Sequence, residues 1–87
     1  MHRIVSKVEL AHKIKWFEVH VPHVAEKSRP GQFIMIIAGE RNERIPLNIA
    51  GIDRSKGTVS FAFNEVGKTT KELGLLNEGD GLDSILG

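Results

Sequence analysis

The spacing of turn-forming residues constrains this chain more than any other feature. Arg29-Pro30-Gly31-Gln32, Gly39-Glu40-Arg41-Asn42-Glu43, Asp53-Arg54-Ser55-Lys56-Gly57 and Asn77-Glu78-Gly79-Asp80-Gly81 punctuate the sequence. Proline fixes φ and glycine accepts positive φ, so each cluster reverses the chain. The runs left between them are short, and most alternate with a period of two, as half-buried strands do. Residues 58–64 are the cleanest case, with Val59, Phe61 and Phe63 set against Thr58, Ser60 and Ala62. Residues 3–10 alternate Ile4 and Val8 with charged positions, and residues 13–21 interleave Trp16, Phe17, Val19 and Val21 with Lys15, Glu18 and His20.

Three further segments read as strands. Residues 33–38 are a continuous apolar run, consistent with a strand buried on both faces. Residues 44–52 follow the polar loop, and residues 82–86 form the last strand. Residues 22–27 are too short for a long helix and make one turn. Residues 69–75 hold the one plausible helix, with Thr69 or Thr70 as N-cap, Glu72 in the first turn and Gly74 near the end. Six short strands with turns about every 8–15 residues predict a small antiparallel barrel or sandwich. A chain of 87 residues is one small domain with a modest core. Its stop directly after a strand leads us to expect an N-terminal fragment of something longer.

Composition narrows the function classes. With 40% apolar and 26% charged residues the chain is an ordinary globular domain rather than a disordered one. Its net charge of +1, with both signs interspersed, lacks the basic stripe that nucleic-acid binding requires. The absence of cysteine excludes disulfides, thiolate zinc sites, iron–sulfur ligation and thiol catalysis within these residues. No secretory signal opens the chain, and residues 33–38 are too short an apolar run to cross a bilayer. A cytoplasmic location, away from membranes, is expected. His2, His12, His20 and His23 are scattered and read as surface residues. Asp53, Asp80 and Asp83 lie in or beside turns, where aspartate satisfies local N–H groups.

Two stretches carry more chemistry than structure demands. In Arg44-Ile45-Pro46-Leu47-Asn48-Ile49-Ala50 a proline and an amide interrupt an apolar strand. Pro46 removes a ladder donor and belongs at an edge or bulge; it either limits aggregation there or leaves a flat surface on which a ring can lie. Asn48 donates and accepts at once, which the edge of a heteroaromatic ring requires. Arg44 is either a solvated charge or a bidentate phosphate ligand. In Val66-Gly67-Lys68-Thr69-Thr70 a glycine and two hydroxyls precede a helix, whose opening N–H groups attract an anion. Simple capping by a threonine is the alternative. The first glycine of a Walker A loop is missing. Together, a ring-facing strand and a phosphate-holding turn point to a dinucleotide.

At these residues, and at Arg29-Pro30-Gly31-Gln32-Phe33 and Glu78-Gly79-Asp80, the chain resembles the FAD-binding barrel of the ferredoxin–NADP reductase superfamily. It is most similar to the branch with the dihydroorotate dehydrogenase electron-transfer subunit and the sulfide dehydrogenase flavoprotein subunit, or NADH-dependent ferredoxin:NADP oxidoreductase. The likeness spans nearly all 87 residues. It implies an all-β fold, a six-stranded antiparallel Greek-key barrel with one short helix before the last strand. It also implies FAD as cofactor, with Pro46 and Leu47 against the isoalloxazine and Asn48 where the family has a serine or threonine that hydrogen-bonds the ring. Ile49 and Ala50 would continue the wall. Val66, Gly67, Lys68, Thr69 and Thr70 would hold the pyrophosphate or ribityl chain.

Arg44 lies one residue before the family's arginine, where Ile45 stands, and a one-residue shift on a strand reverses the face. The resemblance further implies a partner NAD(P)H-binding domain outside this chain and a redox partner of iron–sulfur or ferredoxin type. Self-association through exposed barrel surface follows if that domain is missing. The implied function is electron relay in a flavoprotein oxidoreductase, the chain alone being inactive. The rival readings are a cofactor-free β-barrel interaction module and a barrel that no longer binds FAD.

Overall fold

The computed structural model describes residues 1–86. Eight strands and two helices follow one another: β1 (His2–Ala11), β2 (Ile14–His20), α1 (Pro22–Lys27), β3 (Phe33–Ala38), β4 (Glu43–Asn48), β5 (Gly51–Asp53), β6 (Thr58–Asn64), α2 (Lys68–Gly74), β7 (Gly81–Leu82) and β8 (Ser84–Leu86). They form two antiparallel sheets, one ordered β5-β6-β2-β1-β7 and the other β4-β3-β8. Of the expected barrel or sandwich, the described residues show two antiparallel sheets of eight strands in all, neither closed into the six-stranded Greek-key barrel. The all-β class stands.

Two expected strands are each divided between the sheets. The segment 44–52 breaks at Ile49-Ala50, where the Ile49 N–H turns to Gln32 O (2.8 Å) and the Ala50 N–H crosses to Ser60 O (2.8 Å). Burial of the Ile49 side chain holds this corner. The segment 82–86 breaks at exposed Asp83, so that Leu82 enters the core from one sheet and Ile85 from the other. A short chain closes its core this way because a strand that turns a corner can cover two sides of it.

Period-two patterning decides the interior. Phe17 and Val19 of β2 and Val59, Phe61 and Phe63 of β6 point inward, opposite Ile34 and Ile36 of β3. The phenylalanine rings meet edge-on, Phe17 lying 5.2 Å from Phe63 and 6.0 Å from Phe61 between centroids, the arrangement that ring quadrupoles favour. Residues 33–38 depart from expectation. Ile34 and Ile36 are buried, but Phe33 is 68% exposed, so only one face of β3 is covered by the core. The 22–27 segment adds a second helix, six residues long, opened by Pro22 and anchored by buried Val24 and Ala25. Among the described residues no helix is long and apolar enough to cross a membrane.

Candidate functional site

β4 is the edge strand of its sheet, so the N–H that Pro46 lacks is missing from an edge and not from a central ladder. The strand alternates cleanly. Ile45 and Leu47 lean on the core, while Arg44, Pro46 and Asn48 are exposed. The one-residue displacement of Arg44 therefore puts it on the outer face with Pro46 and Asn48. The side chains of Leu47 and Ile49 go to the core side, Ile49 being fully enclosed, which leaves only their backbone for a ligand on the outer face. Ala50 is exposed beyond the corner.

The outer face is wider than β4. Asn48 stands opposite Phe33, Pro46 opposite Met35 and Arg44 opposite Ile37. Leu86 of β8 is paired with Met35 and is 50% exposed. Phe33 and Met35 were missed because residues 33–38 read as a uniform apolar run. The position of Phe33 just after a Pro-Gly turn was the available signal. At the far end of β4, the Asn48 side-chain amide donates to Gly31 O (2.9 Å). Gly31 holds a φ of 90°, a conformation that glycine adopts without steric penalty. One amide proton of Asn48 is thereby committed, and its carbonyl and second N–H remain for the outer face.

The turn before α2 departs in detail from expectation. Gly67 is the N-cap, and Thr70 is the third helical residue. The Thr70 hydroxyl accepts the Gly67 N–H (3.0 Å) and donates to Gly67 O (3.1 Å), half of a capping box. It is therefore occupied in shaping the turn. The first N–H bonded back along the helix is that of Lys71, to Gly67 O (3.0 Å), so the N–H groups of Lys68, Thr69 and Thr70 open the helix without a partner in it. Val66 is 82% exposed and Lys68 fully outside the core.

Contacts with the β3–β4 hairpin bring the two motifs to a common end. The Glu40 N–H donates to the Glu72 carboxylate (3.2 Å). Gly39 lies so close that a Cβ there would stand 3.2 Å from Thr69 Cγ2. Glu43, Lys68 and Thr69 line one small cleft with Arg41. The opening of α2 thus abuts the Glu43 end of β4, while Asn48 lies five residues on, about 16 Å away at the rise of an extended strand. A long ligand could span the two. The cleft sets the cations Arg41 and Lys68 against the three carboxylates of Glu40, Glu43 and Glu72, so its lining is net acidic.

No family model matches the chain. An uncharacterised protein from the adh 3' region of Clostridium beijerinckii is 48% identical over 87 residues, all of this chain and 29% of the relative. A dihydroorotate dehydrogenase B (NAD(+)) electron transfer subunit homolog of Thermotoga maritima is 40% identical over the same 87 residues, 31% of its length. A solved structure of the NADH-dependent reduced ferredoxin-NADP oxidoreductase, described in connection with flavin-based electron bifurcation, superposes with a TM-score of 0.94 at 40% identity. It is covered over 32% of its length and covers 100% of this chain. The chain thus spans about a third of the relatives it matches. Over its whole length the chain is similar to about a third of a dihydroorotate dehydrogenase B electron transfer subunit homolog and of the NADH-dependent reduced ferredoxin-NADP oxidoreductase.

Proposed function

We propose that residues 1–87 are the FAD-binding domain of a cytoplasmic oxidoreductase that relays electrons between NAD(P)H and a ferredoxin or iron–sulfur protein. The observation that carries this reading is the course of β4. Its exposed face of Arg44, Pro46 and Asn48 runs from the opening of α2 to the Gly31 turn. Bound FAD would supply hydride acceptance and onward transfer of single electrons.

In this reading Pro46 provides the flat surface, and Asn48, steadied by Gly31, hydrogen-bonds the ring edge. Arg44 and the N–H groups of Lys68, Thr69 and Thr70 face the diphosphate. Gly67 and the Thr70 hydroxyl hold the turn. Val66, Leu47, Ile49 and Ala50 contribute backbone or shape. The helix-opening N–H groups, Lys68 and Arg44 suit an anion, which would lie on their side, away from the carboxylates of Glu40, Glu43 and Glu72. The NAD(P)H-binding domain lies outside this chain, and electron transfer belongs to the whole protein.

A second reading is favoured by the uncovered outer face, where Phe33 and Leu86 stand exposed. There the flavin site is complete only with further chain. Titration of FAD, followed by flavin fluorescence, separates the two. Binding by the 87-residue chain, weakened by Arg44→Ala, supports the first reading. Binding only by a longer protein supports the second. Unchanged fluorescence in both leaves a cofactor-free module and rejects FAD altogether.

A further inference from the structure

Beside the Asn48 end of β4, a cavity of about 660 Å³ opens between α1 and the turn into β3, lined by His23, Val24, Lys27, Ser28, Gln32 and Phe33. Its size is that of a small-molecule site. Its chemistry is one-sided. Among the described residues that line it none carries a carboxylate, and several main-chain acceptors nearby are already engaged. Val24 O accepts the Ser28 N–H (2.9 Å), Arg29 O the Gln32 N–H (3.1 Å) and Gln32 O the Ile49 N–H (2.8 Å). Ser28 O accepts an Arg54 guanidinium N–H (2.8 Å) and Gly31 O the Asn48 amide (2.9 Å).

Gln32 continues the pattern. Its side-chain carbonyl accepts the Arg29 N–H (2.6 Å), so its NH₂ group is the part left to face outward. The cavity is therefore bordered by the Lys27 ammonium, the His23 imidazole, the Ser28 hydroxyl and the Gln32 amide, with the Arg54 charge close behind Ser28. Phe33, largely exposed, forms an aromatic wall. Donors and positive charge on one side and a ring face on the other select for a ligand with a negative group on a flat apolar body.

We infer that this cavity binds an aromatic carboxylate, its carboxylate held by Lys27, Ser28 and Gln32 and its ring resting on Phe33. The site adjoins the outer face of β4 through Phe33, which pairs with Asn48, but its carboxylate-binding groups lie on α1 and the turn into β3. The test is backbone amide NMR of the chain titrated in parallel with benzoate, benzamide and inorganic phosphate. Benzoate should shift the resonances of His23, Val24, Lys27, Ser28, Gln32 and Phe33 and bind more tightly than either other probe. Lys27→Gln should weaken benzoate about threefold, as an exposed ion pair allows, and Phe33→Leu by about as much through the lost ring contact.

Both side chains are exposed, so neither variant disturbs the core. Equal affinity for benzoate and benzamide, equal affinity for benzoate and phosphate, or shifts confined to other segments overturns the inference. An FAD titration read on Arg44, Asn48 and Gly67 in the same spectra reports the flavin reading independently.

Discussion

The hydroxyl of Thr70 shows how one side chain can be placed correctly along the chain and still act differently from expectation. Read from the sequence it is a phosphate ligand or an N-cap. In the fold it closes a turn on Gly67 through two hydrogen bonds of 3.0 and 3.1 Å. Thr70→Ala should therefore lower stability by about 1 kcal/mol, the usual worth of a capping interaction, and Thr70→Ser should restore it. Urea denaturation of the three proteins checks this. A stability equal to wild type in Thr70→Ala would mean that the hydroxyl does not shape the turn. Arg44 is the complementary case. Only the alternation of β4, with Ile45 and Leu47 on the core, decides that Arg44 shares a face with Pro46 and Asn48.

Among the elements, the β5–β6 hairpin makes a clear demand on backbone shape. Gly57 has a φ of 70°, and a Cβ there would stand 3.1 Å from Pro22 Cγ at the start of α1. Its carbonyl also accepts the Val21 N–H at 2.9 Å. Gly57→Ala should cost about 1–2 kcal/mol from the left-handed backbone alone, and more from the close approach. Gly79 is the natural comparison, since its φ of 93° is similar and nothing stands within 4 Å of its Cβ direction. Gly79→Ala should be the milder change in thermal denaturation. Equal losses would mean that the hairpin yields without strain against α1.

For the molecule as a whole, ionisation sets where the fold is most stable. Burial, and then the charges of the N-terminus and of His23 and His20, hold His2 below the ordinary imidazole value. Its ring lies 5.9 Å from that of His23. A histidine with a lowered folded pKa contributes stability above its unfolded value and loses it as pH falls. Glu9, lowered by its hydrogen bond with Lys15, and Asp53, lowered by the Ser55 hydroxyl, extend the loss into the carboxylate range. Lys15 is raised by Glu65 and then Glu9, so its contribution fades only as pH rises through the lysine range.

Stability should accordingly decline from neutrality toward acid, and His2→Gln should flatten the first part of that decline. Denaturation midpoints at stepped pH measure it. An unaltered slope in His2→Gln would remove His2 from the account. The uncovered face of β4-β3-β8 makes a separate whole-molecule prediction. Phe33 at 68% and Leu86 at 50% exposure favour association of the isolated chain with itself. Sedimentation at increasing concentration should show it, and Phe33→Ser should reduce it.

Local sequence determined the strand periods, the turn positions, the all-β class and the two motifs, because alternation, proline and glycine act over a few residues. Val59, Phe61 and Phe63 pointed inward for that reason, and Pro46 took an edge. Tertiary structure alone decided the division of residues 44–52 and 82–86 between two sheets, since burial of Ile49, Leu82 and Ile85 depends on what lies across the core. It alone exposed Phe33, made Gly67 the cap of α2, and brought that helix to the Glu43 end of β4. Such outcomes depend on contacts between segments far apart in the chain, which no short window of sequence encodes.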